Sequence, residues 1–112
     1  MARMNILGGC ELVAFVATRD AARARAFYRD LLGLRLVAED QFALAFDAGG
    51  TTLRVSIVEQ LVPAGYTVLG WEVPDIAAAV RVLAARGVSF ERYAFLEQDA
   101  LGIWTAPGGA RS

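Results

Sequence analysis

Asp20-Ala-Ala-Arg-Ala-Arg-Ala-Phe-Tyr-Arg-Asp-Leu-Leu-Gly33 is the stretch from which the fold of this chain can be read. Ala24, Phe27, Tyr28 and Leu31 recur at i, i+3, i+4 and i+7, one apolar stripe of a helix, while Arg23, Arg29 and Asp30 turn outward. Asp20 precedes the stripe as an N-cap and Gly33 follows it as a residue able to take the left-handed conformation that ends a helix. The plan recurs at Asp75 to Gly87, where Ile76, Ala79, Val80 and Leu83 form the stripe. The two acids stand 55 positions apart, and each is preceded by a short apolar run, Val13–Ala17 and Val68–Val73. The chain therefore reads as two copies of a strand-helix unit.

The remaining elements follow from alternation and turn chemistry. Glu11–Thr18 is the first strand, Leu34–Glu39 the second, Gln41–Asp47 the third and Thr51–Val58 the fourth, with Asp47-Ala-Gly-Gly50 as the turn before the last. Leu53, Val55 and Ile57 share one face of the fourth strand, so Arg54 and Ser56 share the other. Glu59–Gly65, with Pro63 and Gly65, reads as a linker. In the second half Val68–Val73 is expected as a strand, Asp75–Arg86 as the helix, Val88–Tyr93 as a strand and Ile103–Thr105 as a short one. A sheet matching the first half then lacks one or two strands at the C-terminal end, as in a shortened chain or one completed by another subunit.

At 112 residues and 12.0 kDa the chain has the length of one domain, with module one at about 11–58, the linker at 59–65 and an incomplete module two at about 66–112. Hydrophobic residues make up 56%, yet no run reaches the ~20 needed to span a membrane. Met1–Gly9 is too short in apolar length for a secretory signal, and the lone Cys10 has no partner for an internal disulfide, which fits a reducing cytoplasm. Eleven basic and twelve acidic side chains are interspersed, so no stripe exists for a nucleic-acid backbone.

All the basic residues are arginine, and histidine is absent. Imidazole bases, Ser-His-Asp relays and His-rich metal sites are thereby excluded, as are Schiff-base and P-loop lysines. What remains for chemistry is a set of carboxylates, three tyrosines, hydroxyls and one thiol. No cofactor is expected.

Phe27-Tyr-Arg-Asp-Leu-Leu-Gly33 after a strand and Asp20, joined to the second strand-Asp75-helix-Gly87 copy, resembles the vicinal oxygen chelate superfamily, the glyoxalase, bleomycin-resistance and extradiol-dioxygenase group. The resemblance implies an α+β fold of two βαβββ modules whose strands curl into a mixed-sheet cup with helices outside and ligand or metal on the concave face. Metal-dependent members carry ligands at positions that fall at about Val13, Val68 and Arg54, none of which coordinates a cation, and a last glutamate that would lie beyond Ser112. No metal is expected. By parity the concave face would carry Phe15, Arg54, Ser56 and Glu72, with Trp104 over the opening and Trp71 in the core. Arg54 and Glu72 on that face serve either as a mutual salt bridge or as ligand contacts, Glu72 as a base and Arg54 as an anion clamp. The arginines at 19, 23, 25 and 29 are expected as a solvated helix face, and Glu97 and Asp99 as a solvated loop.

The resemblance thus implies a cytoplasmic, metal-free protein that binds a small apolar or aromatic ligand, touches neither nucleic acid nor membrane, and forms a homodimer. The alternatives are a lyase, isomerase or dioxygenase-like enzyme whose metal ligands lie in a missing C-terminal segment or a partner subunit, and a ligand-free dimerisation module.

Overall fold

Asp20 and Asp75 adopt nearly the same backbone conformation, φ −140°, ψ 102° and φ −143°, ψ 100°, and each carboxylate accepts a backbone N–H three residues on, from Arg23 and Ala78 at 3.0 Å. The two caps are thus structural copies, each worth ~1 kcal/mol. This computed structural model describes residues 6–112; the reading of Met1–Gly9 falls partly outside them. The described residues form two compact units, one ending at Leu69 and the other running from Gly70 to Ser112.

The first unit is a strand β1 (Val13–Thr18), a helix α1 (Ala21–Arg25) that widens into a π-helical turn over Ala26–Leu31, and strands β2 (Arg35–Glu39), β3 (Ala43–Ala48) and β4 (Thr51–Ile57). The strands form one mixed sheet in the order β1-β4-β3-β2, with β1 parallel to β4 and the other pairs antiparallel. Parallel neighbours cannot be joined by a tight turn, so the chain leaves β1 through the helix and returns by way of β2 and β3. The helix covers one sheet face. Ala24 packs with Leu44, Phe46, Leu53 and Val55, and all four sheet residues are almost completely buried. Burying each such side chain contributes roughly 1.5–3 kcal/mol.

The stripe of the first helix departs from pure α-helical spacing. Leu32 donates its N–H to Phe27 O (3.0 Å), Gly33 to Arg29 O (3.1 Å) and Leu34 to Tyr28 O (2.9 Å). At the end of α2 (Ile76–Ala85) the corresponding donors Arg86, Gly87 and Val88 reach Val82, Ala84 and Leu83, each bond spanning one residue fewer. The cause lies in the chain itself: cap to glycine is 13 positions in the first copy and 12 in the second. The additional residue is absorbed as a π turn. Tyr28 keeps its place against Phe46, ring centroids 5.6 Å apart, whereas Phe27 is left partly outside, edge-on to Tyr28 at 5.1 Å. Gly33 (φ 81°) and Gly87 (φ 94°) take the left-handed conformation that closes each helix.

Arg25 is not part of a solvated helix face. Its Nε donates to Glu39 Oε1 at 3.1 Å and its Nη2 to Oε2, a forked pair that ties the helix to the end of β2.

The second unit differs from its sequence expectation. No ladder includes 68–73 or 88–93, and of the expected short strand at 103–105 there remain single bridges, Gln98 to Trp104 and Thr105 to Arg111. The repeat explains why. The stretch occupying the place of β4 is Thr105-Ala-Pro-Gly-Gly-Ala-Arg111, in which proline removes a donor and the glycines favour turns. It folds back on itself, Ala106 N–H to Ala110 O at 2.6 Å and Gly109 N–H to Ala106 O at 2.8 Å. A segment so bent cannot serve as the central strand that β1 and β3 both pair with in the first unit. Trp71, expected in the core, is 47% exposed for the same reason: strand parity has no meaning outside a ladder.

Phe46→Ala should lower unfolding free energy by about 3–5 kcal/mol in chemical denaturation. In hydrogen exchange the amides of β4 should be the slowest and those of 88–93 fast; equal protection of the two would contradict the assignment of strands.

Candidate functional site

With α1 on one face of the sheet, the opposite face is left to the odd-numbered residues of β1 and the even-numbered residues of β4. Strand register arranges them in three rows: Val13, Thr52 and Asp47; Phe15, Arg54 and Ala45; Ala17, Ser56 and Ala43. Arg54 is at the centre. It has large Phe15 on one side, 64% exposed, small Ala45 on the other, and the hydroxyl residues Thr52 and Ser56 two positions away along its own strand. Ala45 keeps the face low on one side of Arg54, so a flat molecule could lie against the sheet beside the phenyl ring, while Ala43 in the next row is already covered.

The charges around this face are mostly committed. Asp47 pairs with Arg35 at 3.3 Å and also accepts the Gly50 N–H at 2.9 Å. Asp40 accepts the N–H groups of Phe42 (2.8 Å) and Ala43 (2.9 Å). Its carboxyl is held below the usual range by those two N–H groups, with a smaller contribution from the charge of Arg54. Among the described residues Arg54 makes no ion pair, the acid it acts on being Asp40, whose carboxylate is already bound by two backbone N–H groups. A guanidinium without a direct ion pair, beside an exposed aromatic ring, can receive a carboxylate or other oxyanion in forked geometry.

Of the residues expected at the site, Phe15, Arg54 and Ser56 therefore share one face, as strand parity implies. Glu72 and Trp104 belong to the second unit. Glu72 is exposed and outside any ladder, so the parity that assigned it to a concave face does not apply. Trp104 lines a cleft of about 530 Å³ with Phe95, Glu97, Gln98, Asp99 and Ile103. Asp99, expected in a solvated loop, organises a turn by accepting the N–H groups of Leu101 (2.9 Å) and Ile103 (3.0 Å). The signal was present as Asp99-Ala-Leu-Gly102, an acid followed by a glycine that takes φ 88°.

The residues at the family's metal-ligand positions do not fit a metal. Val13 is aliphatic and in register with Thr52, while Arg54 is cationic. Among the described residues no three Cys, Asp or Glu side chains are grouped to hold an ion. Tyr28, whose hydroxyl pKa is raised by burial, is a packing residue against Phe46.

Comparison with known proteins agrees with this architecture. Residues 11–95 match the family model described as the Glyoxalase/Bleomycin resistance protein/Dioxygenase superfamily, and the chain belongs to that family. No curated protein matches. Among solved structures, a glyoxalase/bleomycin resistance protein/dioxygenase from Alicyclobacillus acidocaldarius shares 18% identity at TM-score 0.62, over 92% of this chain and 87% of its own. A lactoylglutathione lyase from Agrobacterium tumefaciens shares 16% at TM-score 0.58, over 92% and 90%. A bleomycin resistance determinant encoded on the transposon Tn5 shares 18% at TM-score 0.59, over 84% and 82%. At these identities the likeness is one of fold. No helix among the described residues is long and apolar enough to cross a membrane.

The carboxyls of Asp40 and Asp47 both have folded-state pKa values below their ordinary ones, chiefly through backbone N–H donors. A depressed folded pKa contributes stability above the unfolded value of about 3.9, and that contribution is lost as pH falls through the folded value. The melting temperature should therefore be level above about pH 5 and fall below about pH 4. Asp40→Asn should flatten the fall, and an unchanged acid limb would count against this role.

Proposed function

We propose that this chain is a small-molecule-binding member of the superfamily that holds an apolar or aromatic ligand against the open face of its sheet without a catalytic metal. The observation that carries the reading is the central row, exposed Phe15 beside Arg54, which makes no ion pair among the described residues, with Ser56 two residues on. Phe15 offers the ring a stacking surface, Arg54 takes an anionic substituent, and Ser56 accepts or donates a hydrogen bond. The charge that a metal supplies in metal-dependent relatives would here come from a guanidinium, which attracts oxyanions and activates no water. Sequestration rather than turnover follows from that substitution. The likeness to a bleomycin resistance determinant is in keeping with this reading, and the likeness to a lactoylglutathione lyase marks the enzymatic alternative.

The proposal extends to a cytoplasmic homodimer. β1 is an edge of the sheet and carries exposed Val13 and Phe15, and edges of this kind are usually covered or paired. Cys10 is exposed and is the chain's one cysteine, so no disulfide forms within the chain.

Titration with 1-naphthoate and with the neutral 1-naphthamide tests the site. Both should bind, and Phe15→Ala should weaken both by about fivefold to tenfold. Arg54→Gln should weaken naphthoate by about tenfold or more and leave naphthamide within about twofold. Elemental analysis should find no stoichiometric transition metal; finding one would overturn the proposal in favour of an enzyme. Light scattering should give twice the chain mass of 12.0 kDa.

A further inference from the structure

The cleft in the second unit is built by hydrogen bonds that use up the Gln98 side chain and much of the backbone around it. Gln98 Oε1 accepts the Tyr93 N–H at 2.8 Å, and its Nε2 donates to Glu91 O at 3.0 Å and Gly102 O at 2.9 Å. Arg92 donates to the carbonyl oxygens of Gln98 (3.5 Å), Asp99 (2.6 Å) and Ala100 (3.1 Å), so its guanidinium is engaged with backbone. Trp104 exchanges both backbone bonds with Ser112, N–H to Ser112 O at 2.7 Å and Ser112 N–H to Trp104 O at 2.9 Å. Ile103, 3% exposed, contributes a buried apolar side chain to the lining.

What the cleft still offers a ligand is therefore limited. Two aromatic surfaces line it, Trp104 and Phe95, the second braced by Tyr93 at a centroid distance of 5.5 Å. Two carboxylates line it as well. Asp99 has one oxygen occupied by its turn and feels the charges of Arg111 and Arg92. Among the described residues Glu97 has neither a hydrogen bond nor an ion pair, and no basic side chain lines the cleft. A tryptophan and a largely exposed phenylalanine beside a carboxylate without an ion pair attract one kind of small molecule and repel its charge opposite.

We propose that this cleft binds an organic cation, an ammonium group carried on an apolar body, with the charge held by Glu97 and the face of Trp104. The lining of this cleft belongs wholly to the second unit, and its ligand has the charge preference opposite to that proposed for the sheet face. No bond is made or broken there.

The test uses benzyltrimethylammonium, its neutral isostere neopentylbenzene, and benzoate, followed through the indole N–H resonances of the two tryptophans, which Trp71→Phe assigns. Benzyltrimethylammonium should shift the Trp104 signal saturably, at least about fivefold more tightly than neopentylbenzene, the difference an exposed aromatic face makes for a cation. Glu97→Gln should weaken the cation by about threefold to fivefold and steepen nothing for neopentylbenzene, and added salt should act in the same direction. Trp104→Leu should abolish the preference for cation over isostere, while circular dichroism checks that the unit remains folded. Benzoate binding at the Trp104 signal, equal affinity for cation and isostere, or indifference to Glu97→Gln would each overturn the proposal. Phe15→Ala and Arg54→Gln should leave it unchanged, so failure here and failure at the sheet face are read separately.

Discussion

Parallel pairing of β1 with β4 is the constraint on which the first unit depends. Six consecutive register positions, from Val13 opposite Thr52 to Thr18 opposite Ile57, join the first and last strands of the unit and make every element between them part of one closed path. Because the crossover must pass over a sheet face, one face acquires a helix and a core of Leu44, Phe46, Leu53 and Val55, and the other does not. Connectivity thus selects the candidate site: the face not used to bury the helix is the one on which Phe15 and Arg54 share a row with Ser56 in the next.

The second unit shows the same constraint by failing to meet it. Its helix is capped and closed like the first, yet Pro107, Gly108 and Gly109 occupy the stretch where the pairing strand would run, and that stretch turns back on itself. Without a central strand, the flanking segments form no ladder, and their side chains lose the two-sided pattern that alternation would impose. The segment instead saturates its polar groups locally, through Gln98, Asp99 and Arg92, and makes a small cleft of its own. Family membership rests on the match over residues 11–95, which takes in both helices and stops before this terminal turn.

Charge distinguishes the two candidate sites. Among the described residues, the charged group without an ion pair in the central row of the sheet face is a guanidinium, whereas in the cleft it is a carboxylate. Members of this family that use a metal place a divalent charge at the concave face; here an arginine stands at one ligand position and valine at another. A guanidinium carries positive charge without Lewis acidity or a labile coordination position.

Much of this was determined by the sequence alone. Caps, closing glycines, the four strands of the first unit, the parity of Leu53 and Val55 against Arg54 and Ser56, and the absence of imidazole all follow from local rules, because each depends on neighbours within a few residues. The π turn was not read from the apolar stripe, which fits a regular α-helix, although the one-residue difference between the two cap-to-glycine spacings is its trace in the sequence. Tertiary structure decided the rest. Whether Val68–Val73 and Val88–Tyr93 become strands depends on a partner far along the chain, so their alternation carried no information about pairing. Arg25 joined Glu39 across fourteen residues for the same reason. The fate of Trp71 and Glu72 was set by whether a ladder formed around them, and a ladder is a property of two segments, which no reading of one segment can supply.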